Sequence, residues 1–325
     1  MILCCGEALI DMIPAPLAQG GEAFAPHCGG AVFNTAIALG RLGVRTGLMT
    51  GLSTDMFGRQ LADALAASAV DASLAVTSDR PSTLAFVRLA NGSATYNFFD
   101  NGSAGRMLSK DEMPTLDADV TALFFGGISL ACEPAADAYA SLCAREGATR
   151  AVMVDPNIRP AFIEDEARYR DRLSGMIANA DIVKVSDEDL NWIVRSDAPL
   201  GDKARALLSA GPSLTIVTRG HEGAHGYLAG GEEVHVDAAR ADIVDTVGAG
   251  DTFNAGVLAK LQMLDVLTKE KIAALSVEDL RAALALGARV AAVTVSRAGA
   301  NPPWASEIVS PPEPGAVAHG AKSRS

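Results

Sequence analysis

Short apolar runs alternate with stretches of helical periodicity along most of this chain, and no other feature restricts its possible folds so strongly. The runs that predict strands cover residues 2–9, 44–52, 122–125, 151–154, 182–185 and 214–217. The helical patterns include residues 31–42, Met56–Ala67, 249–261 and 277–292, with Asp55 as the N-cap of the second. Strands that alternate with helices form βαβ units. The pattern therefore predicts an α/β fold with a mostly parallel central sheet.

The composition is that of a globular protein with a large core. Of the 325 residues, 49% are hydrophobic and 20% are charged, whereas disordered chains are poor in apolar residues and highly charged. The 27 basic and 39 acidic residues give a net charge of -12, and Lys and Arg form no visible cluster. Because nucleic-acid binding depends on such clusters, the sequence predicts no nucleic-acid partner.

The targeting and cysteine patterns favour a cytoplasmic protein without a membrane partner. No segment reaches 18 consecutive apolar residues, so no membrane span is predicted. Glu7 and Asp11 interrupt the N-terminal apolar run, which is unlike a secretory signal. The five cysteines are odd in number and lack a CxxC motif, so neither a disulfide framework nor a zinc ribbon is indicated.

One region departs from the alternation of strands and helices. Residues 82–89 and 94–99 have strand patterns and flank Asn91-Gly92, a strong signal for a tight hairpin. The segment 13–26 is also non-helical and is rich in Gly and Pro. We predict that these segments form a small β-sheet outside the main sheet, which acts as a lid. An edge hairpin on the main sheet is the alternative.

The stretch DTVGAGDTFN (residues 245–254) carries the most specific chemical signal. Small residues at Gly248, Ala249 and Gly250 directly precede a predicted helix. Successive backbone N–H groups can therefore close on an anion at the positive end of that helix. Asp251 then lies beside the anion, where its obvious use is to accept a proton from an attacking hydroxyl. The alternative is a tight turn followed by an ordinary acidic residue in the first helical turn.

Further polar residues and a second glycine turn fall where predicted strands end or helices begin. They are Asp11, Gly29, Gly30, Asn34, Asn157 and Arg159. Ligands of parallel α/β sheets bind beyond the carboxyl ends of the strands, so we expect these groups to meet Asp251 there. Asp and Asn side chains, which bind hydroxyl groups, beside a phosphate-binding turn indicate a polyol substrate.

Together these motifs resemble those of the ribokinase-like, or PfkB-type, carbohydrate kinases. Residues 245–258 are similar to the C-terminal signature of that family. Residues 29–43 (GGAVFNTAIALGRLG) are similar to its first signature, with Val32 where many members have a small residue or Pro. The resemblance covers nearly all of residues 2–304 and is strongest to the bacterial fructokinases.

The resemblance implies a fold and a domain organisation. It implies a three-layer α/β/α domain over residues 1–310 with a mostly parallel central sheet. The lid segments, at about 13–26 and 82–99, are inserted in that domain. Residues 311–325 are rich in Pro, Gly, Ala and Ser and are predicted to be a disordered tail.

The implied activity is ATP-dependent transfer of a phosphoryl group to a sugar hydroxyl, with conversion of D-fructose to fructose 6-phosphate as the first expectation. Mg²⁺ is the implied divalent cofactor, and K⁺ is an additional candidate. One alternative is a kinase for another sugar, such as ribose or 2-keto-3-deoxygluconate. The other is a catalytically silent sugar- or nucleotide-binding regulator on the same fold.

The resemblance also assigns roles to individual residues. The catalytic group comprises Asp251 as the general base, Arg159 as the cation beside the transferred phosphoryl group, and Gly248, Ala249 and Gly250 as the anion hole. The sugar contacts are Asp11, Gly29, Gly30, Asn34 and Asn157. The nucleotide contacts are Thr218, Gly220, Lys184, Ser186, Asp189 and Asn254, with Ser186 and Asp189 where many members have Asn and Glu. Backbone positions around a monovalent cation match Asp245, Val247, Thr294 and Gly299.

The hairpin at 82–99 also suggests a homodimer. It is rich in apolar residues, including Phe86, Phe98 and Phe99, and an isolated two-stranded hairpin is marginal in water. We predict that one of its faces covers the sugar and that the other pairs with a second copy of the chain.

The sequence HEGAH (residues 221–225) matches the HExxH zinc pattern, which requires a helix. Gly220, Gly223 and Gly226 punctuate this stretch, and each glycine costs a helix about 1 kcal/mol relative to Ala. We therefore predict a surface turn near the nucleotide instead of a zinc site.

Overall fold

Fifteen strands are present in the computed structural model, which describes residues 1–17, 21–90 and 93–308. They are β1 (Ile2–Cys5), β2 (Leu9–Pro16), β3 (Glu22–Gly29), β4 (Thr46–Met49), β5 (Gly51–Ser53), β6 (Val70–Asp71), β7 (Val76–Ser78), β8 (Leu84–Ala90), β9 (Ser93–Phe99), β10 (Ala122–Gly126), β11 (Ala151–Asp155), β12 (Ile182–Ser186), β13 (Leu214–Thr218), β14 (Ala224–Leu228) and β15 (Glu233–Val236). Nine of them form the central sheet, in the order β15-β14-β13-β12-β11-β10-β1-β4-β6.

The central sheet is parallel except at one edge. All neighbours from β13 to β6 pair in parallel, whereas β14 and β15 are antiparallel. Strands β1, β10 and β11 are fully buried, and parallel strands covered on both faces are expected to be continuously apolar. The predicted mostly parallel sheet is therefore confirmed.

Two of the predicted strands are each divided in the structure. Residues 2–9 contain β1 and only the first residue of β2, which belongs to a different sheet. Residues 44–52 contain β4 and most of β5, and β5 pairs with β7 in a separate two-stranded sheet. Both single-strand predictions were wrong because continuous apolar character does not show where the chain leaves one sheet for another.

Ten helices are found among the described residues. They are α1 (Ala31–Arg41), α2 (Met56–Ala67), α3 (Ala135–Glu146), α4 (Glu166–Asn179), α5 (Asp187–Ile193), α6 (Leu200–Leu208), α7 (Ala249–Met263), α8 (Lys269–Ala273), α9 (Val277–Val295) and α10 (Ala305–Ile308). Asp55 caps α2 as predicted, since its carboxylate accepts the N–H groups of Phe57 and Gly58.

The helices form a layer on each face of the sheet. Ile2 and Cys4 of β1 pack into a core shared with α1, α7 and α9. Leu3 and Cys5 point to the opposite face, into a core shared with α3, α4 and α6. Because successive side chains of a strand point to opposite faces of the sheet, β1 contributes to both cores. The predicted three-layer α/β/α architecture is confirmed. No helix of the described residues is long and apolar enough to span a membrane.

The small sheet is separate from the central one. Its four strands have the order β3-β2-β8-β9, with β2 and β8 parallel and the outer pairs antiparallel. The two arms of the predicted hairpin are β8 and β9, and the Asn91-Gly92 turn lies outside the described residues. Because this sheet shares no strand with the central one, the alternative of an edge hairpin is wrong. We refer to it as the lid sheet.

Helices α7 and α9 approach each other at two glycines. A Cβ added to Gly256 would lie 2.7 Å from the Cα of Gly287. The helix that carries Asp251 is therefore held against α9 by backbone contact, where no side chain could fit without displacing one of the helices.

We predict that Gly256→Ala lowers the free energy of unfolding by about 1–3 kcal/mol, because the new methyl group overpacks this contact. Gly175→Ala in α4 is the matched control. Gly175 is exposed and has nothing within 4 Å of an added Cβ, so alanine should stabilise the helix by about 0.5–1 kcal/mol. Urea unfolding of both variants measures the difference, and a stabilised Gly256→Ala would contradict the packing argument.

Candidate active site

A large cleft lies at the carboxyl ends of the central strands. Its volume is about 1020 Å³, and it is lined by loops that follow β1, β10, β11, β12 and β13, by the start of α7 and by the lid sheet. Since β13, β12, β11, β10 and β1 are neighbours in that order, the cleft is elongated, with Thr218 near one end and Glu7 near the other. Ligand binding at this edge is expected for a parallel α/β sheet.

The start of α7, where an anion-binding turn is predicted, lies in the wall of the cleft. Gly248 has φ 78, a left-handed conformation that favours glycine. Among the described residues, the N–H groups of Gly250 and Asp251 have no hydrogen-bond acceptor. Free N–H groups at the positive end of a 15-residue helix bind anions. Gly248, Ala249 and Gly250, the residues predicted to form the anion hole, all line the cleft.

Asp251 is held by two residues of α1. The Asn34 amide donates to Asp251 Oδ2 at 2.9 Å, and the Thr35 hydroxyl lies 3.1 Å from the Asp251 carbonyl oxygen. Burial raises the pKa of the Asp251 carboxyl from 3.8 to about 7, the Asn34 hydrogen bond opposes that rise, and the charge of Asp155 adds to it. An acid with a pKa near 7 can exchange a proton at neutral pH.

Asn34 does not line the cleft, although a sugar contact is predicted for it. Its amide group donates to Asp251, so Asn34 holds the acid, and the sugar contact stays a prediction. The sequence placed Asn34 near the site but could not show which group it faces, because the partner is 217 positions away.

A buried charge network lies beneath the anion-binding turn. Asp155 Oδ2 accepts hydrogen bonds from Lys184 Nζ at 3.0 Å and from Asn254 Nδ2 at 2.7 Å. Lys184 lines the cleft, and its ammonium group would be 3.3 Å from a Cβ added to Gly250. The network therefore holds a positive charge beside the free N–H groups of the turn.

Asn254 is fully buried and does not line the cleft. Its amide holds Asp155, and the predicted nucleotide contact stays a prediction.

Ser186 and Asp189 form the N-terminal cap of α5. The Ser186 hydroxyl accepts the Asp189 N–H at 2.9 Å, and Asp189 Oδ1 accepts the Ile158 N–H at 3.1 Å. Both residues line the cleft, as do Asn157 and Arg159 of the loop after β11. Burial and then the charge of Asp155 raise the pKa of Asp189. The cap therefore connects the predicted nucleotide residues to the loop that carries Arg159.

The lid sheet brings Asp11 into the cleft. Asp11 lies in β2, so the prediction that it ends a central strand was wrong. Its carboxylate has no hydrogen-bond or ion-pair partner among the described residues, and burial raises its pKa to about 6. Gly30 also lines the cleft, whereas Gly29 does not. A Cβ added to Gly29 would be 2.1 Å from Asp11 Oδ2, so Gly29 makes room for this carboxylate instead of contacting a ligand.

The remaining predicted positions divide between the cleft and its surroundings. Thr218 lines the cleft, but Gly220 does not and lies in the 3₁₀ turn Gly220–Glu222. Val247 lines it as well. Asp245 accepts the Gly299 N–H at 2.9 Å, which joins the two loops predicted to surround a monovalent cation. Thr294 is buried near the end of α9.

The HExxH stretch is not helical. His221 is in the 3₁₀ turn, whereas His225 is in β14 and lies against His235, with the ring centroids 4.4 Å apart. The two histidines of the motif therefore do not share the helical face that the zinc pattern requires.

Sequence reasoning assigned no role to several charged residues of the cleft or to the centre of the buried network. The charged residues that it left out are Glu7, Asp100, Arg106, Glu164 and Glu188. The centre of the network is Asp155, which accepts hydrogen bonds from Lys184 and Asn254. An acidic residue inside the apolar N-terminal run is a signal for Glu7. Arg106 has no local signal, because its partners Asp100 and Glu164 are set by tertiary structure.

The raised pKa of Asp251 implies a cost to folding. The folded state retains this proton up to about pH 7, whereas the unfolded chain loses it near pH 3.8. Stability therefore falls as pH rises through this interval. We predict that Asp251→Asn raises the Tm more at pH 8 than at pH 4.5, by about 2–4 °C for each kcal/mol regained. Calorimetry at both pH values tests this, and an equal change at the two would contradict it.

Comparison with known proteins agrees with this geometry. The family described as pfkB family carbohydrate kinase matches residues 1–307. A fructokinase from Rhizobium leguminosarum bv. trifolii is 50% identical over 284 residues, which cover 86% of each chain.

Solved structures resemble the whole fold. A fructokinase with bound ATP from Xylella fastidiosa superposes with a TM-score of 0.85 at 29% identity, covering 94% of this chain and 96% of that chain. An aminoimidazole riboside kinase from Salmonella enterica, complexed with aminoimidazole riboside and an ATP analogue, gives a TM-score of 0.79 at 25% identity, covering 94% and 97%. The chain therefore belongs to the PfkB family of carbohydrate kinases and has the ribokinase-like fold.

Proposed function

We propose that this carbohydrate kinase is an ATP-dependent fructokinase, which converts D-fructose to fructose 6-phosphate. The observation that carries the proposal is the position of Asp251. A buried acid with a pKa of about 7 lies in the first turn of α7, next to free N–H groups that bind an anion and in the same cleft as the unpartnered Asp11 carboxylate.

The arrangement of the cleft suits transfer of a phosphoryl group to a hydroxyl. Asp11, Gly30 and Asn157 offer acceptors and donors for sugar hydroxyls at one end. The turn at Gly248–Gly250 offers N–H groups for phosphate, with Asp251 between the two ends. Asp251 accepts the proton of the attacking hydroxyl as the new O–P bond forms. Arg159, Lys184 and the free N–H groups stabilise the charge on the transferred group, which is the main requirement of a loose transition state.

The charge of the cleft indicates that a nucleotide enters with a divalent cation. Carboxylates outnumber cations among its lining residues: Glu7, Asp11, Asp100, Glu164, Glu188, Asp189 and Asp251 against Arg106, Arg159 and Lys184. The described residues hold no group of three or more His, Cys, Asp and Glu side chains that could bind a metal by themselves. Mg²⁺ needs only one or two carboxylates when phosphates and water complete its shell, and Glu188 and Asp189 fit that need.

The lid sheet supplies the wall that excludes water from the sugar end. Phe98 of β9 lines the cleft and packs edge-to-face on Phe162, with the ring centroids 4.3 Å apart. Arg106 bridges Asp100, which follows β9, and Glu164 of the main domain, at 3.7 and 2.9 Å. Two contacts thus join the lid to the main domain across the cleft, and water exclusion protects ATP from hydrolysis.

We propose fructose as the substrate because the Rhizobium relative and the Xylella structure are named fructokinases. The Salmonella structure, in contrast, is named an aminoimidazole riboside kinase. A coupled assay for ADP release, with fructose, ribose, 2-keto-3-deoxygluconate and glucose, therefore tests the substrate. We predict the highest kcat/KM with fructose. Asp251→Asn should lower kcat by about 10²–10⁴ through loss of the general base while it retains ATP binding. A higher kcat/KM with another sugar would identify that sugar as the substrate instead of fructose. No turnover with any sugar would favour a catalytically silent regulator.

Two further assignments belong to this proposal. A monovalent cation such as K⁺ between the loops of Asp245 and Gly299 is supported by the hydrogen bond that joins them. A cytoplasmic location is supported by the five free cysteines, because unpaired thiols persist in a reducing compartment.

We also propose that two copies of the chain pair through the lid sheet. Phe24, Phe86 and Phe99 form a row of edge-to-face rings on the side of the sheet away from Asp11, with centroids 5.0 and 5.3 Å apart. Phe99 is 64% exposed and Phe24 is 39% exposed. Phe98 faces the cleft, so it belongs to the site and not to this row. An exposed apolar face on a symmetric assembly is most often covered by its own copy.

We predict that the double variant Phe24→Asp, Phe99→Asp is a monomer at micromolar concentration while the wild type is a dimer, because each change places a charge in the apolar contact. Sedimentation velocity measures both species. Met263→Asp is the control, since Met263 is 58% exposed at the end of α7 and should leave the dimer intact. A monomeric wild type, or a folded double variant that still dimerises, would contradict the proposal.

A further inference from the structure

Glu7 is a buried carboxylate in the floor of the cleft that the phosphoryl-transfer chemistry does not use. It follows β1, is only 9% exposed, and lines the cleft together with Gly30 and Ile128. Its Oε1 accepts the Ala31 N–H at 2.9 Å, and its Oε2 accepts the Ser129 N–H at 3.2 Å. Each carboxylate oxygen is thus bound to a different segment of the chain.

The two segments fold tightly around this side chain. Ala31 is the first residue of α1, and Ser129 lies in the 3₁₀ turn Gly127–Leu130 after β10. A Cβ added to Gly127 would be 2.0 Å from Glu7 Oε1, and one added to Gly30 would be 3.1 Å from Glu7 Cγ. The backbone that forms this wall of the cleft is therefore shaped to fit the glutamate.

Stability alone does not explain a carboxylate at this position. Among the described residues, no Lys, Arg or His forms an ion pair with Glu7, and burial raises its pKa. A buried charge without a cation is costly, and backbone N–H groups and the start of a helix offset only part of that cost. An apolar side chain would fill the same space without this penalty, but it could not join the two backbone segments by hydrogen bonds.

We infer that Glu7 is a positioning residue for sugar binding. Its carboxylate joins the start of α1 to the turn after β10 and so fixes Gly30 and Ile128 as the wall against which the sugar lies. The inference rests on the proposed sugar kinase activity and deepens it. The phosphate end of the cleft is formed by α7 and by the loops after β11 and β12, whereas the Glu7 side chain is hydrogen-bonded to Ala31 and Ser129 and reaches Asp251 only through its charge.

The test compares Glu7→Gln with wild type in calorimetric titrations with fructose and with a non-hydrolysable ATP analogue, and in steady-state kinetics. Glutamine keeps the shape but directs an N–H group at one of the two backbone donors. We expect the sugar Kd and KM to rise by about 10- to 100-fold, the range for loss of a hydrogen bond to a charged group. The affinity for the analogue should stay within about threefold, which is less than the effect of losing one such hydrogen bond.

Asp181→Asn is the matched control. Asp181 is another buried carboxylate that accepts a backbone N–H, from Val152 at 2.8 Å, and it does not line the cleft. This variant should lose stability without a change in sugar KM. If Glu7→Gln does not fold, Gly127→Ala displaces the same carboxylate and should give the same selective loss of sugar binding.

Two results would overturn the inference. One is unchanged sugar affinity in a folded Glu7→Gln variant, and the other is an equal loss of sugar and nucleotide binding, which indicates a merely structural role. Failure of the wild type to bind fructose would instead refute the proposed substrate. The Glu7 comparison would then be made with whichever sugar the wild type phosphorylates.

Discussion

The hydrogen bond from the Asn34 amide to the Asp251 carboxylate is the interaction on which the site depends. It fixes the proton acceptor at the place where α1 and α7 meet, and both helices begin at the same edge of the sheet. Burial raises the pKa of this acid to about 7, and the Asn34 hydrogen bond and the Lys184 charge only partly oppose that rise. The burial that would let Asp251 accept a proton at neutral pH is also what makes it costly to fold.

The buried network around Asp155 acts on Asp251 in two opposite directions, because the Asp155 charge raises the pKa of Asp251 and the Lys184 charge lowers it. Lys184 and Asn254 both donate to one oxygen of Asp155, and the Lys184 charge opposes the rise in the pKa of Asp251. Truncation of Asp155 would leave the buried ammonium group of Lys184 unpaired. This would destabilise the fold far more than replacement of both charged residues by apolar ones. Asp251, Asp155 and Lys184 are therefore electrostatically coupled, and a change of charge at one of them affects the others.

Local signals in the sequence were sufficient for most of the elements and for the glycine turn before α7, because glycine turns, caps and apolar runs are determined within a few residues. What the sequence could not supply depends on contacts between distant segments. The amides of Asn34 and Asn254 are hydrogen-bonded to Asp251 and Asp155, which no local pattern indicates. Asp11 proved to lie in the lid sheet, because an apolar run does not reveal which sheet a strand joins. Arg106 was missed because nothing next to it in the chain identifies its partners.

The order of the strands has a consequence for how the chain is made. β1 lies between β4 and β10, so one edge of the first strand stays unpaired until residue 126 has been synthesised. At about 5–20 residues per second, the interval between Asn34 and Asp251 takes roughly 10–40 s. A nascent chain therefore carries Asn34 long before Asp251, the residue that its amide holds. Until then the unpaired edge of β1 is a place where the chain needs protection from aggregation during synthesis.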